Sequence, residues 1–177
     1  MRLATRANGS PDGELIVVSA DGTRALAATD IAPNLLAAME RWEALAPMLQ
    51  ARADLVNAGQ GGPIDPAVLR APLPRSWQWL DGSAFATHGE LMQIAFGLDP
   101  IDRERPLMYQ GLSDRFLGPC DDVPVPDAAL GIDFEGEFGV IVDAVPMGTS
   151  VADAAQHIRL IVQINDWSLR AIAPIEM

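Results

Sequence analysis

Two stretches of the chain alternate apolar and polar residues with the period of a β-strand. In Ile132 to Val142 the even positions Ile132, Phe134, Phe138, Val140 and Val142 are apolar, whereas the odd positions Asp133, Glu135, Glu137, Gly139 and Ile141 share the opposite face. In Ile158 to Asn165 the even positions are again apolar, and the next even position is Asp166, a carboxylate where a core residue is expected. Between them, Ser150 followed by Asp153 has the pattern of a capping box and predicts a short helix.

The first third of the chain reads as a separate unit. A short strand near Leu3, a strand from Glu14 to Ala20, an Asp21-Gly22 turn and a third strand around Arg24 to Ala27 predict a small antiparallel sheet. Asp30 is placed to cap a helix carrying Leu35, Met39, Trp42 and Leu49 on one face, with Pro33 near its start and Pro47 kinking or splitting it. This helix is expected to cover the sheet. Residues 57–66 hold Gly59, Gly61, Gly62 and Pro63, the composition of a linker or exposed loop, and a domain boundary is expected near residue 64, dividing the chain into 1–64 and 65–177. Beyond it the pattern predicts a strand over 68–73, a Trp-rich strand over 75–80, a helix from Ser83 to Phe96 and a long irregular segment over 97–131, of the kind that often carries function.

Composition narrows the candidate partners. The 177 residues include 24 acidic and 12 basic side chains, a formal net charge of −12, and every basic residue is Arg. Such a surface repels phosphate backbones and anionic headgroups, so nucleic acid and membranes are excluded as expected partners and divalent cations are favoured. Cys120 is the single cysteine and cannot form an internal disulfide. The N-terminus lacks an apolar leader and no apolar run reaches membrane length, so a soluble cytoplasmic protein is expected.

The chemistry that the pattern offers is carboxylate chemistry. Glu135 and Glu137 point the same way from one strand and could grip a single cation, but a bare Glu-x-Glu is more commonly the mark of a solvated strand face. Asp166 is either a turn residue at a strand end or a buried carboxylate needing a partner or a metal. Taken alone, His88 is a polar residue on a helix with apolar neighbours and reads as a hydrogen-bonded structural histidine, and Arg170 as a surface cation that pairs with acidic neighbours. His157, at a helix-to-strand junction, reads as structural.

In combination these segments carry a resemblance. Ile132-Asp133-Phe134-Glu135-Gly136-Glu137-Phe138-Gly139-Val140-Ile141-Val142 followed by Gln163-Ile164-Asn165-Asp166-Trp167-Ser168-Leu169-Arg170 resembles the fumarylacetoacetate hydrolase family. Asp81-Gly82-Ser83-Ala84-Phe85-Ala86-Thr87-His88 is similar to the family's spacing between a metal-binding aspartate and its catalytic histidine, and Met108-Tyr109-Gln110-Gly111 to its substrate-contacting loop. The N-terminal unit is similar to the small domain that precedes the catalytic domain in bacterial members.

The resemblance implies an α+β fold: a small N-terminal antiparallel β domain with a helix, followed by the first part of a mixed β-roll catalytic domain. It implies that Asp81, Glu135, Glu137 and Asp166 are metal ligands, that His88 is the general base, and that Tyr109 and Arg170 bind substrate or stabilise developing negative charge. Four carboxylates suit a hard, oxygen-preferring ion, so Mg²⁺ is expected, with Ca²⁺ or Mn²⁺ as alternatives. The implied function is metal-dependent hydrolysis of carbon–carbon bonds in 1,3-dicarbonyl or 2-oxo acids in aromatic-compound catabolism such as tyrosine degradation, by a homodimer. The family also places a catalytic lysine and a histidine-orienting glutamate after the region that ends here at Met177, and the chain has no lysine. A truncated piece, or a non-catalytic binding module retaining a divalent-metal site, is therefore the alternative expectation. Ala173 stands where some members carry a substrate-binding glutamine.

Overall fold

Glu14–Val18 is the most buried strand of the chain, with Leu15, Ile16 and Val17 all at 1% exposure or less, because it is covered on both faces. The computed structural model, which describes residues 1–97, 99 and 107–172, places it at the centre of a five-stranded antiparallel sheet. The sheet comprises β1 (Arg2–Arg6), β2 (Glu14–Val18), β3 (Arg24–Ala27), β4 (Gly62–Pro63) and β5 (Leu69–Arg70) in the order β4-β3-β2-β1-β5. The Asp21-Gly22 turn forms as expected: Gly22 adopts a φ of +78° and the Asp21 carboxylate accepts from the Ser19 and Thr23 hydroxyls and the Thr23 amide.

Helices α1 (Leu35–Met39) and α2 (Trp42–Asn57) lie on this sheet. Leu45, Leu49, Ala53 and Val56 recur at helical spacing on α2 and meet Leu15, Val17 and Leu35 in one core. A fully buried leucine such as Leu49 contributes about 1.5–3 kcal/mol. Two expectations are corrected here. Asn34, not Asp30, caps the first helix by accepting from the Ala37 amide at 2.9 Å, while Asp30 pairs with Arg52 at 2.6 Å. The helix also breaks at Glu40–Arg41 rather than at Pro47, because Arg41 leaves helical geometry (φ −130°, ψ 28°) and α2 then runs through the proline.

The glycine-rich run is not a free linker. Gly62–Pro63 pairs with β3, and Gly61, at φ +86°, lies so close to the Ala25 carbonyl that a Cβ would collide with it. The strand expected over 68–73 shrinks to β5, which pairs with β1 as an edge of this first sheet. No strand forms over 75–79.

Among its described residues the second half carries two strand pairs. β6 (Leu80–Ser83) pairs antiparallel with β7 (Leu107–Gln110), so the expected irregular segment contains one strand, and α3 (Ala86–Phe96) follows β6, ending at Gly97 with φ +64°. β8 (Ile132–Val142) and β9 (Ile158–Leu169) form a long antiparallel pair, joined through the short α4 (Val151–Ala154), whose cap Ser150 accepts from the Asp153 amide. Asp166 lies inside β9 rather than after it. Among the described residues no helix is long and apolar enough to cross a membrane. Ala173 lies outside the described residues.

The covered face of the β8–β9 pair is the one that holds the carboxylates. Its far end, Ile141 and Leu160, packs against the N-terminal core. The apolar face of β8 points outward, with Phe138 72% exposed, whereas the apolar even positions of β9, Leu160, Val162 and Ile164, lie on the covered face beside the carboxylates and leave Ile161 73% exposed. The segment that leaves the first sheet is pinned to it by Arg75, which grips Asp12 with two hydrogen bonds of 2.6 and 2.9 Å, and by the Thr5 hydroxyl, which donates to the Pro72 carbonyl at 2.6 Å.

Candidate metal centre

Register brings the acidic residues together. Glu135 lies opposite Asp166 and Glu137 opposite Ile164, so both glutamates and Asp166 project from one face. Asp81 arrives from β6, where it is paired with Tyr109 of β7. Asp81, Glu137 and Asp166 each direct a carboxylate oxygen to a common point, these atoms lying within 4.8 Å of one another. Gly139 is part of the local design: Ile164 and Val162 lean over it, and a Cβ there would meet the Ile164 Cδ1 at 2.5 Å.

The electrostatics favour a cation. Burial, followed by the charges of Asp81, Asp166 and Glu135, pushes the Glu137 carboxyl above its ordinary range. Burial, followed by Asp81 and Glu135, does the same to Asp166. Half-buried like charges of this kind are relieved by a positive ion, and an all-oxygen anionic set suits a hard divalent cation rather than a thiophilic one. The residues present therefore fit such an ion.

Glu135 stands beside the trio. Its Oε1 accepts from the Ser168 hydroxyl at 2.8 Å and from Arg170 Nη2 at 2.7 Å, and its Oε2 is 3.3 Å from His88 Nε2. His88 is carried there by α3. Arg170 also donates from Nε to Asp133 at 3.1 Å and approaches the Met92 sulfur from Nη1 at 3.7 Å. The Tyr109 hydroxyl donates to Asp166 Oδ2 at 3.4 Å, and burial, then the Asp166 and Asp81 charges, raise its pKa so that the phenol stays protonated.

The seven residues singled out in the sequence thus converge on one region, with Asp81, Glu137 and Asp166 as the tight group and Glu135, His88, Tyr109 and Arg170 around it. Pattern reading gave no role to Ser168 or Asp133. The available signal was positional, since Ser168 is two residues past Asp166 on a strand and so shares its face. His157 is elsewhere: its Nδ1 lies 2.6 Å from Asp143, which also accepts from Arg159, and this cluster pins the other end of the strand pair. Cys120 is an exposed thiol.

Fold and site together define an α+β protein whose antiparallel strands carry an acidic centre suited to an oxygen-preferring cation. Residues 1–75 match the profile described as fumarylacetoacetase N-terminal domain 2, and residues 78–177 match that of the fumarylacetoacetate (FAA) hydrolase C-terminal domain. The chain belongs to the fumarylacetoacetate hydrolase family. No curated protein matches it. Domains of this family are typically those of enzymes, hydrolases and decarboxylases among them.

Proposed function

We propose that the chain forms the cation-binding part of a hydrolase that cleaves carbon–carbon bonds in 1,3-dicarbonyl acids of the fumarylacetoacetate or acylpyruvate type. The observation that carries this reading is the convergence of Asp81, Glu137 and Asp166, with His88 held beside them by Glu135. Those three carboxylates would hold Mg²⁺, or Ca²⁺ or Mn²⁺, and Glu135 completes the anionic surround. The ion, when bound, would supply Lewis acidity toward the two oxygens of a 1,3-dicarbonyl and toward the enolate that leaves.

The remaining roles belong to the side chains. His88 Nε2 lies 3.3 Å from Glu135 Oε2, and the imidazole is the group assigned to take a proton from the attacking water. Tyr109, kept protonated, would turn its one hydroxyl hydrogen from Asp166 to a substrate oxygen. Arg170 lies close enough to this group to balance a substrate carboxylate with its guanidinium. A cytoplasmic homodimer acting on 2-oxo or 1,3-dicarbonyl acids of aromatic catabolism is the setting proposed for this chemistry.

The test is turnover of an acylpyruvate, followed by loss of its enol absorbance, after chelation and again after adding Mg²⁺ or Mn²⁺. Activity that vanishes on chelation, returns with the ion and is absent in Glu137→Gln supports the reading; activity indifferent to chelation contradicts it. The outward apolar face of β8 favours a second reading, a binding module that keeps the cation site. Cation binding without turnover in the same preparation would select it.

A further inference from the structure

We propose that Ser168 is a positioning residue, which fixes the carboxylate of Glu135 and thereby the approach of that carboxylate to both His88 and the acidic trio. The inference rests on the cation-centre reading above. Glu135 is a long side chain with several rotatable bonds, and on its strand face the side chain is 17% exposed. Its direction is set by hydrogen bonds to one oxygen: the Ser168 hydroxyl at 2.8 Å and Arg170 Nη2 at 2.7 Å both reach Oε1, leaving Oε2 toward His88.

The two donors are not equivalent. Arg170 lies past the end of β9 and divides its guanidinium between Glu135 and Asp133, with a further approach to Met92. Ser168 is inside β9, its backbone fixed by the ladder directly opposite Asp133 and diagonal to Glu135, and its side chain has a single rotatable heavy-atom bond. Unlike the Arg170 guanidinium, a hydroxyl adds no positive charge beside Glu135, so it orients the carboxylate without neutralising it. Loss of such an orienting hydrogen bond next to a metal group typically weakens metal binding by about 10–100-fold.

The experiment is calorimetric titration of Mn²⁺ into the wild-type chain and into Ser168→Ala, Ser168→Cys and Ser168→Thr, with a thermal melt of each. Cysteine keeps the volume but donates poorly, while threonine keeps the hydroxyl and suits a strand. The expected result is Mn²⁺ affinity about tenfold weaker in the Ala and Cys variants and restored to within about twofold in the Thr variant, at comparable melting temperatures. Wild-type affinity in both the Ala and Cys variants would overturn the proposal while leaving the cation centre standing. Equal weakening in all three variants, in step with lower melting temperatures, would reduce Ser168 to a structural strand residue and also overturn it. A wild-type chain that binds no Mn²⁺ would remove the cation centre and this proposal together.

Discussion

Glu135 and Asp166 face each other directly across the β8–β9 ladder and project from the same side of it. Two carboxylates in register on one face repel, a relationship that ordinarily destabilises a strand pair. The protein offsets part of the cost through Arg170 and Ser168, which satisfy Glu135, while burial and the Asp81 and Glu135 charges raise the Asp166 pKa. A residual excess of negative charge persists where Asp81 and Glu137 join them, and that excess is what a divalent cation would use.

Removing one of these charges should separate stability from binding. Asp166→Asn keeps an oxygen acceptor for Tyr109 but relieves the repulsion, so in the presence of chelator its melting temperature should rise by about 1–4 °C, the equivalent of a cross-strand like-charge pair in a chain of this size. The same variant should lose the stabilisation that Mn²⁺ gives the wild type. Thermal melts with chelator and with Mn²⁺ check both halves, and a variant less stable in chelator would contradict the account.

Affinity should track membership of the tight group. Glu137→Gln is expected to weaken Mn²⁺ binding by more than about a hundredfold, beyond the range seen for residues that merely support ligands. Asp143→Asn, at the other end of the strand pair, should leave the affinity unchanged while lowering the melting temperature through loss of the His157 and Arg159 contacts. Calorimetry on the two variants distinguishes them.

The pH dependence follows from the shifted carboxyls. Glu137 and Asp166 have folded pKa values raised above 4.5 and 3.8, so the folded chain binds their protons more readily than the unfolded chain. Without a cation, their contribution to stability therefore improves as the pH falls from neutrality through the raised values, and levels off below the unfolded ones. Cation binding needs the deprotonated forms, so the rise in melting temperature caused by Mn²⁺ should shrink over that same window. Asp143 has the opposite sign: the His157 hydrogen bond depresses its pKa, and its stabilisation disappears only at pH below 3.8. Melts with and without Mn²⁺ from about pH 7 to about pH 4 test this, and a constant Mn²⁺ increment across the range would be inconsistent with it.

In the N-terminal unit, Gly61→Ala should cost about 1–3 kcal/mol, because alanine is disfavoured at φ +86° and its Cβ would meet the Ala25 carbonyl. Chemical denaturation measures it. Leu49→Ala, which empties a fully buried site, should cost about 2–5 kcal/mol in the same assay.

Alternation and turn chemistry made most of this fold legible. β2, β3, β8 and the Asp21-Gly22 turn were predicted within a few residues, since each has a period or a turn residue with a direct steric cause. The misplacements fall where tertiary contacts decide. β4 and β5 are two-residue edges paired to β3 and β1, and the helix starts at Leu35, which makes Asn34 its cap and leaves Asp30 to pair with Arg52. Alternation also separated the two faces of β8 but could not say which would be covered, and the carboxylate face proved to be the more covered one. For the site, the strand period put Glu135 and Glu137 together and marked Asp166 as out of place. Asp81 and His88 entered only through family resemblance, because no local period connects β6 and α3 with β9. Ser168 had no distinguishing mark in the sequence, as a serine on a strand face is commonplace.

The central claim is that Asp81, Glu137 and Asp166 converge on one divalent cation. Anomalous diffraction from crystals of the chain grown with Mn²⁺ tests it most directly. The expected result is a peak bonded to a carboxylate oxygen of each of the three residues, at about 2.0–2.6 Å. A fully occupied Mn²⁺ elsewhere, or no peak at saturating Mn²⁺ with the three side chains ordered, would contradict it.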